Sequence, residues 1–142
     1  MPATSDGPLL LDTHIVVWYA EGHPTLKRSQ VERLDRAAAQ DGLTVSAMSA
    51  RELAWLTQHG RLVLAPDVRT WVGRLQRELR ITFLGVDAEI AQESALLPGE
   101  PPRDPVDQLL CAAARVHGLT LVTRDAQILR YARAGHVRAL SS

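Results

Sequence analysis

The chain is short of the residues that build several common kinds of site. It has one cysteine, Cys111, one phenylalanine and one lysine, Lys27, the other fifteen of its sixteen basic residues being arginine. A lone cysteine excludes an intramolecular disulfide and any cysteine-based zinc cluster. Cys111 lies in the apolar helical stretch QLLCAAARV and reads as a small core residue rather than a reactive thiol. No glycine-rich turn follows a strand, which excludes a P-loop or dinucleotide site, and the five histidines are scattered without a metal-binding spacing. Net charge is zero, with 16 acids against 16 bases, so contact with nucleic acid would need a local basic patch. No apolar run reaches bilayer-spanning length. Residues 1–8, MPATSDGP, lack the basic region and apolar core of a signal peptide. The expectation is a cytoplasmic protein without membrane contact, with a loose N-terminal tip over residues 1–8 and one domain over 9–142.

What is present is an alternation. Residues 9–12 form a short apolar run, the first expected strand, and THIVVWYA (13–20) turns helical and ends near Gly22. In TLKRSQVERLDRAAAQ, Leu26, Val31, Leu34 and Ala38 recur at helical spacing. LTVS (43–46) reads as a second strand. Ser49 is then expected to open the helix SARELAWLTQHG, stopped by Gly60. Asp67 caps VRTWVGRLQREL, ITFLGV (81–86) is a third strand, and Asp87 starts AEIAQESALL. Asp104-Pro105 opens QLLCAAARVHG, LTLVT (119–123) is a fourth strand, Asp125 begins AQILRYARAG, and HVRAL (136–140) reads as a fifth strand. Strands alternating with helices predict a mostly parallel sheet of four or five strands, covered by helices on both faces.

The acids fall at particular places in that order. In an open parallel sheet, sites form in the crevice at the carboxyl ends of the strands. Asp12 and Asp125 follow the first and fourth strands, and Glu52 lies one turn into the helix after the second. Asp104 and Asp107 open the helix that feeds the fourth strand, and reach the same edge if the loop PGEPPR climbs back to it. Each acid also has a helix-capping reading. Ser49-x-x-Glu52 fits a capping box, Asp104-Pro-Val-Asp107 a capped start with proline in the first turn, and Asp12 and Asp125 each precede a helix. Together, however, four or five carboxylates on one edge repel; two charges ~4 Å apart cost about 4 kcal/mol at an effective dielectric near 20. The lone lysine is distant. A hard divalent cation, Mg²⁺ or Mn²⁺, relieves such crowding with oxygen ligands and waters, and the chemistry implied is hydrolysis of a phosphodiester.

The segments LLLDTHIVVW, SAMSARELA and RDPVDQLLCAAARVHGLTLVTRD, in this order, resemble the PIN-domain family, and within it the VapC-type toxins of bacterial toxin–antitoxin pairs. The resemblance runs over roughly residues 9–140. It implies a three-layer α/β/α sandwich and a Mg²⁺- or Mn²⁺-dependent endoribonuclease. By this likeness Asp12 and Asp107 ligate metal, Glu52 does so directly or through water, and Asp125 orients water or a second ion. Asp104 is more peripheral, and Thr13 and Thr123 match hydroxyl positions near the site. Arg51, Arg103 and Arg124 flank the acids as a basic rim for RNA, or as compensation of those same acids. His14, next to Asp12, stands close to this group. The family further implies a VapB-type antitoxin held in a groove beside the site, near Trp18, Tyr19, Trp55, Leu56 and Trp71, and a homodimer.

Other parallel-sheet proteins fit less well. A response-regulator receiver needs a lysine after its last strand, and a haloacid-dehalogenase-type phosphatase needs an acid two residues after its nucleophile, where this chain has His14. The remaining competitor is a catalytically silent interaction module whose acids only cap helices.

Overall fold

The computed structural model describes residues 7–142, so the first six positions of the expected tip lie outside the described residues. Pro8 already belongs to the sheet, because its carbonyl accepts from the backbone N–H of Thr120. Five strands, β1 (Leu9–Leu11), β2 (Leu43–Ser46), β3 (Thr82–Leu84), β4 (Thr120–Thr123) and β5 (Ala139–Ser141), form one sheet in the order β3-β2-β1-β4-β5. Every pairing is parallel. Between and after them run α1 (Thr13–Glu21), α2 (Arg28–Ala39), α3 (Ala47–Gln58), α4 (Val68–Glu78), α5 (Ala88–Ala95), α6 (Pro105–His117) and α7 (Ala126–Arg133).

The central strand shows why the sheet carries two layers of helix. Leu9, Leu10 and Leu11 are all fully buried, and alternation sends them to opposite faces. Leu9 and Leu11 join Ile15, Leu34, Val45, Leu53 and Trp71 under α1 to α4. Leu10 joins Ile90, Leu110, Leu121, Ile128 and Tyr131 under α5 to α7. A strand buried on both faces has no polar alternation to offer, which is why the sequence reads as an unbroken leucine run. Cys111 is buried in the second layer beside Ala112 and Ala113, as its surroundings in sequence predict.

Local chemistry sets the ends of the elements. α1 closes on Gly22, whose φ of 63° is left-handed and whose N–H reaches the carbonyls of Trp18 and Tyr19. α4, α5 and α7 begin at Asp67, Asp87 and Asp125, each of whose side chains accepts from a backbone N–H three residues on. Two expectations shift. Strand β5 begins at Ala139, later than HVRAL, because Val137 is taken into the core and the carbonyl of His136 accepts from Arg115. Helix α3 starts at Ala47, because the hydroxyl of Ser46 caps it by accepting from the N–H of Met48. Ser49 is therefore inside the helix, and the capping box with Glu52 does not form.

Trp71, on the apolar face of α4, takes the core place that its helical spacing allows. It is 6% exposed, packs in the core, and donates from Nε1 to Glu21 at 3.0 Å, so it contributes to packing rather than to a groove wall. Trp55, by contrast, is 40% exposed, and Trp18 is half-buried.

The position of the α3 cap is directly checkable. Ser46→Ala is expected to lower the unfolding free energy by about 1 kcal/mol in a urea titration, and an unchanged midpoint and slope would place the helix start elsewhere.

Candidate metal centre

The strand order reverses at β1: β2 and β3 are laid on one side of it, β4 and β5 on the other. Such a switch point opens a crevice at the carboxyl ends of the strands, and Asp12 and Asp125 stand at the ends of the two strands that border it. They are tied together through one hydroxyl. Thr123, fully buried at the end of β4, donates from Oγ1 to Oδ2 of Asp12 at 2.8 Å and accepts from the backbone N–H of Asp125 at 3.0 Å. The other oxygen of Asp12 accepts from the N–H of Thr13 at 2.7 Å. Asp12 is thus held at both oxygens, in a fixed orientation.

Asp107 and Glu52 are placed differently. Both are half-buried, and neither carboxylate has a hydrogen-bond or ion-pair partner among the described residues. Asp107 lies in the first turn of α6, whose entry is pinned from several sides. Asp104 accepts from the N–H groups of Val106 and Asp107, Gln108 donates to the carbonyl of Pro102, and the side chain of Gln127 accepts from the N–H of Arg103. The loop does climb back to the strand ends: the carboxyl of Asp107 feels Asp125, Asp104, Asp12 and Glu52 at once. Burial first, and then these four negative charges in that order, push it well above the usual carboxylate range, to about 7. The same surroundings act one turn further along α6. Burial, with Asp107 and Asp125 adding to it, raises the Cys111 thiol to about 12, which leaves it inert at neutral pH.

The hydroxyls expected near the site are both there, with different tasks. Thr123 orients Asp12, as described. Thr13 is 1% exposed and donates from Oγ1 to Ser49 Oγ at 2.9 Å, a wholly buried contact that fastens α1 to α3. Ser49 is the residue that sequence reasoning misassigned. Its signal was its spacing, because Ser49 and Leu53 recur four apart on the buried face of α3, with Glu52 beside them.

The arginine rim is only partly assembled. Arg51 and Arg103 are exposed, and among the described residues neither forms an ion pair with the acids. Arg124 is turned away from them. Its Nη2 donates to the carbonyl of Thr25 and its Nε to Ser142, both at 2.9 Å, and the guanidinium lies 5.0 Å from the centre of the Trp18 ring. The acids therefore lack a cation from the described residues.

All the candidate donors are carboxylates, a hard-oxygen set suited to Mg²⁺ or Mn²⁺ rather than to zinc. Among the described residues no group of three or more Asp, Glu, His or Cys side chains is arranged to hold a metal ion as it stands. Asp12, Glu52, Asp107 and Asp125 form an electrostatic cluster and not a preformed cage. Magnesium is commonly held by one or two carboxylates while it keeps several waters, so a cluster of this openness fits that ion.

Residues 9–134 match the family model for the PIN domain. The chain is 35% identical over 125 residues to "Ribonuclease VapC22" of Mycobacterium tuberculosis, covering 84% of this chain and 88% of that protein. Among solved structures it resembles DNA-bound VapBC from Salmonella typhimurium, with a TM-score of 0.66 at 19% identity, covering 95% of this chain and 98% of that one. It also resembles FitAcB from Neisseria gonorrhoeae, with a TM-score of 0.63 at 23% identity and coverage of 93% and 96%.

The raised carboxyl of Asp107 has a signed effect on stability. Below about pH 4 the group is protonated in both folded and unfolded chains and contributes nothing. Between about pH 4 and pH 7 the unfolded chain releases a proton that the folded chain retains, so stability falls as pH rises, and above about pH 7 the loss is complete. With screening by solvent on its open side, a rise of this size corresponds to about 2 kcal/mol, more than the ~0.3–1 kcal/mol that a helix dipole returns to an acid in its first turn. Asp107→Asn is therefore expected to raise the melting temperature in EDTA at pH 8 and to leave it nearly unchanged at pH 4. Asp12→Asn, which disturbs two good hydrogen bonds, should lower it by an amount corresponding to about 1 kcal/mol. A destabilised Asp107→Asn protein at pH 8 would contradict the crowding.

Proposed function

The chain belongs to the PIN-domain family, and on that footing we propose that it is a divalent-metal-dependent endoribonuclease, the toxin of a VapBC-type toxin–antitoxin pair. The observation that carries this reading is the crowding of Asp107 by Asp125, Asp104, Asp12 and Glu52 at the switch point of the sheet. Evenly spaced helix caps have no reason to crowd, whereas a cation site must.

Within this reading Asp12 and Asp107 are the principal metal ligands, Glu52 binds directly or through water, and Asp125 orients water or a second ion. A divalent cation, when bound, supplies the positive charge that draws in a phosphodiester and makes water a better nucleophile toward it. The chain's own work is positioning. Thr123 holds Oδ2 of Asp12 and the N–H of Thr13 holds Oδ1, so this carboxylate is oriented in advance. Asp104 accepts at Oδ1 from the N–H groups of Val106 and Asp107 and so seats the first turn of α6, in keeping with the more peripheral part that the family likeness gives it. Asp107, its carboxyl raised to about 7 by burial and the neighbouring acids, would hold a cation in its deprotonated form. Arg51 and Arg103, exposed at the flanks, are available to phosphates of the substrate.

The partner follows from the same likenesses. The neighbouring structures include DNA-bound VapBC and FitAcB, which supports a cognate VapB-type antitoxin for this chain; a homodimer is what membership of the family implies. No described helix is long and apolar enough to cross a membrane, and an RNA substrate puts the place of action in the cytoplasm. A silent interaction module would account for Asp104 and Asp125 as caps, yet it leaves Glu52 and Asp107 without a task.

Incubation with total RNA and Mg²⁺ is expected to give discrete cut ends that EDTA abolishes. Asp12→Asn and Asp107→Asn should each slow cleavage by about 100-fold or more and weaken Mn²⁺ binding in calorimetry. Cleavage by the Asp12→Asn protein at the parental rate would defeat the assignment.

A further inference from the structure

Beside the acids lies a stack of rings that the reading above leaves unused. Trp18, in the last turns of α1, has its ring centre 6.0 Å from that of His14 with 26° between the planes, and 6.1 Å from that of His23 at 30°. The Arg124 guanidinium stands 5.0 Å from the same ring. Both imidazoles are exposed and Trp18 is half-buried, packed against the core under α1 to α4, so the stack has a fixed base and an open end. The surrounding bonds hold it in place. The N–H of His23 donates to the Trp18 carbonyl at 2.9 Å, the Nδ1 of His23 accepts from the N–H of Thr25 at 3.1 Å, and Arg124 is clamped between Thr25 and Ser142.

Its location gives it a meaning. His14 is two residues past Asp12, in the first turn of α1, and Arg124 immediately precedes Asp125. The stack is thus built on residues that adjoin Asp12 and Asp125 in the chain, with Arg124 turned to the Trp18 side and exposed His14 on the first turn of α1, at the carboxyl edge of the sheet. Planar, exposed, edge-anchored rings next to a phosphodiester-cleaving centre match the way proteins hold unpaired RNA bases, by stacking on His, Trp and Arg planes. We propose that His14, backed by Trp18 and Arg124, is a stacking subsite for an unpaired base of the RNA next to the acidic crevice. This rests on the ribonuclease reading. It explains why Arg124 is spent on a ring and two neutral acceptors instead of on the acids beside it: its role is to stiffen the platform. It also implies that the enzyme acts on loops or single strands, since a paired base cannot present its face to His14.

The test uses the full-length chain, a single-stranded 12-mer RNA, and the same oligomer carrying one abasic ribose at successive positions. Dissociation constants are measured in EDTA, where nothing is cut, and kcat and KM in Mg²⁺. His14→Ala is expected to raise Kd and KM about fivefold or more, with the loss in kcat/KM carried by KM. His14→Phe, which keeps a ring and removes the ring nitrogens, should restore both. One abasic position should weaken binding to the parent, and should have no further effect on His14→Ala. Unchanged Kd and KM in His14→Ala, the result expected if the rings serve a protein partner instead, would overturn the subsite. A His14→Phe protein as impaired as His14→Ala would overturn it as well. Absence of cleavage by the parent would instead strike the ribonuclease reading, and the binding measurements in EDTA would still decide whether His14 stacks a base.

Discussion

The pairing of β1 with β4 governs the rest of the molecule. Residues 111 apart in sequence, Asp12 and Thr123, come into hydrogen-bond contact because Leu9, Leu10 and Leu11 register against Thr120, Leu121 and Val122. A one-residue slip would turn every side chain of the strand to the other face, exchanging the two cores and carrying Thr123 away from Asp12. The same apolar residues that seal the sheet therefore set the distance between its terminal acids.

That arrangement works against the stability of the metal-free chain. A carboxyl that is half-buried, surrounded by four like charges and without a hydrogen-bond partner among the described residues is a poor choice for folding alone. The fold tolerates Asp107 because the elements around it are independently secure. α6 has a capped and proline-initiated start, a run of buried small residues from Cys111 to Ala114, and a glycine in the left-handed conformation, Gly118 at φ 66°, to end it. Strain of this sort, concentrated in one place and offset elsewhere, is the usual mark of a functional site.

Much of this was legible in the amino-acid order. The alternation of apolar runs with amphipathic stretches gave the parallel sheet and both helical layers, since a doubly covered strand can only be apolar throughout. Asp67, Asp87, Asp104 and Asp125 announced helix starts because a short acid followed by a helical period has few other uses. What failed was local and had local causes. Ser46 and Ser49 are three apart, so either could cap α3. The choice was made by where β2 stops, and pairing with β3 sets that. Trp71 lies on the apolar face of its helix with Leu75 and could equally have been core or groove wall; packing against the first core layer and a bond from its N–H to Glu21 settle it as core. Arg124 looked like a counter-ion for Asp125, but side chains next to each other at a strand end point to different sides, and its own side offers Trp18. The approach of Asp107 to the strand ends depended on the loop before α6, whose anchors, Gln108 and Gln127, lie on helices and carry no loop signature of their own.

The buried hydroxyl contact between Thr13 and Ser49 welds α1 to α3, and so welds Asp12 to Glu52. On the opposite flank Gln127 grips Arg103 and Tyr131 grips Pro98, so α7 and the approach to α6 travel together, bearing Asp125 and Asp107. Thr123 then bolts the two flanks to each other through Asp12 and Asp125, so the crevice is one braced frame and not four independent fingers. The entropy of gathering these carboxylates has largely been removed by the packing of the helices that carry them.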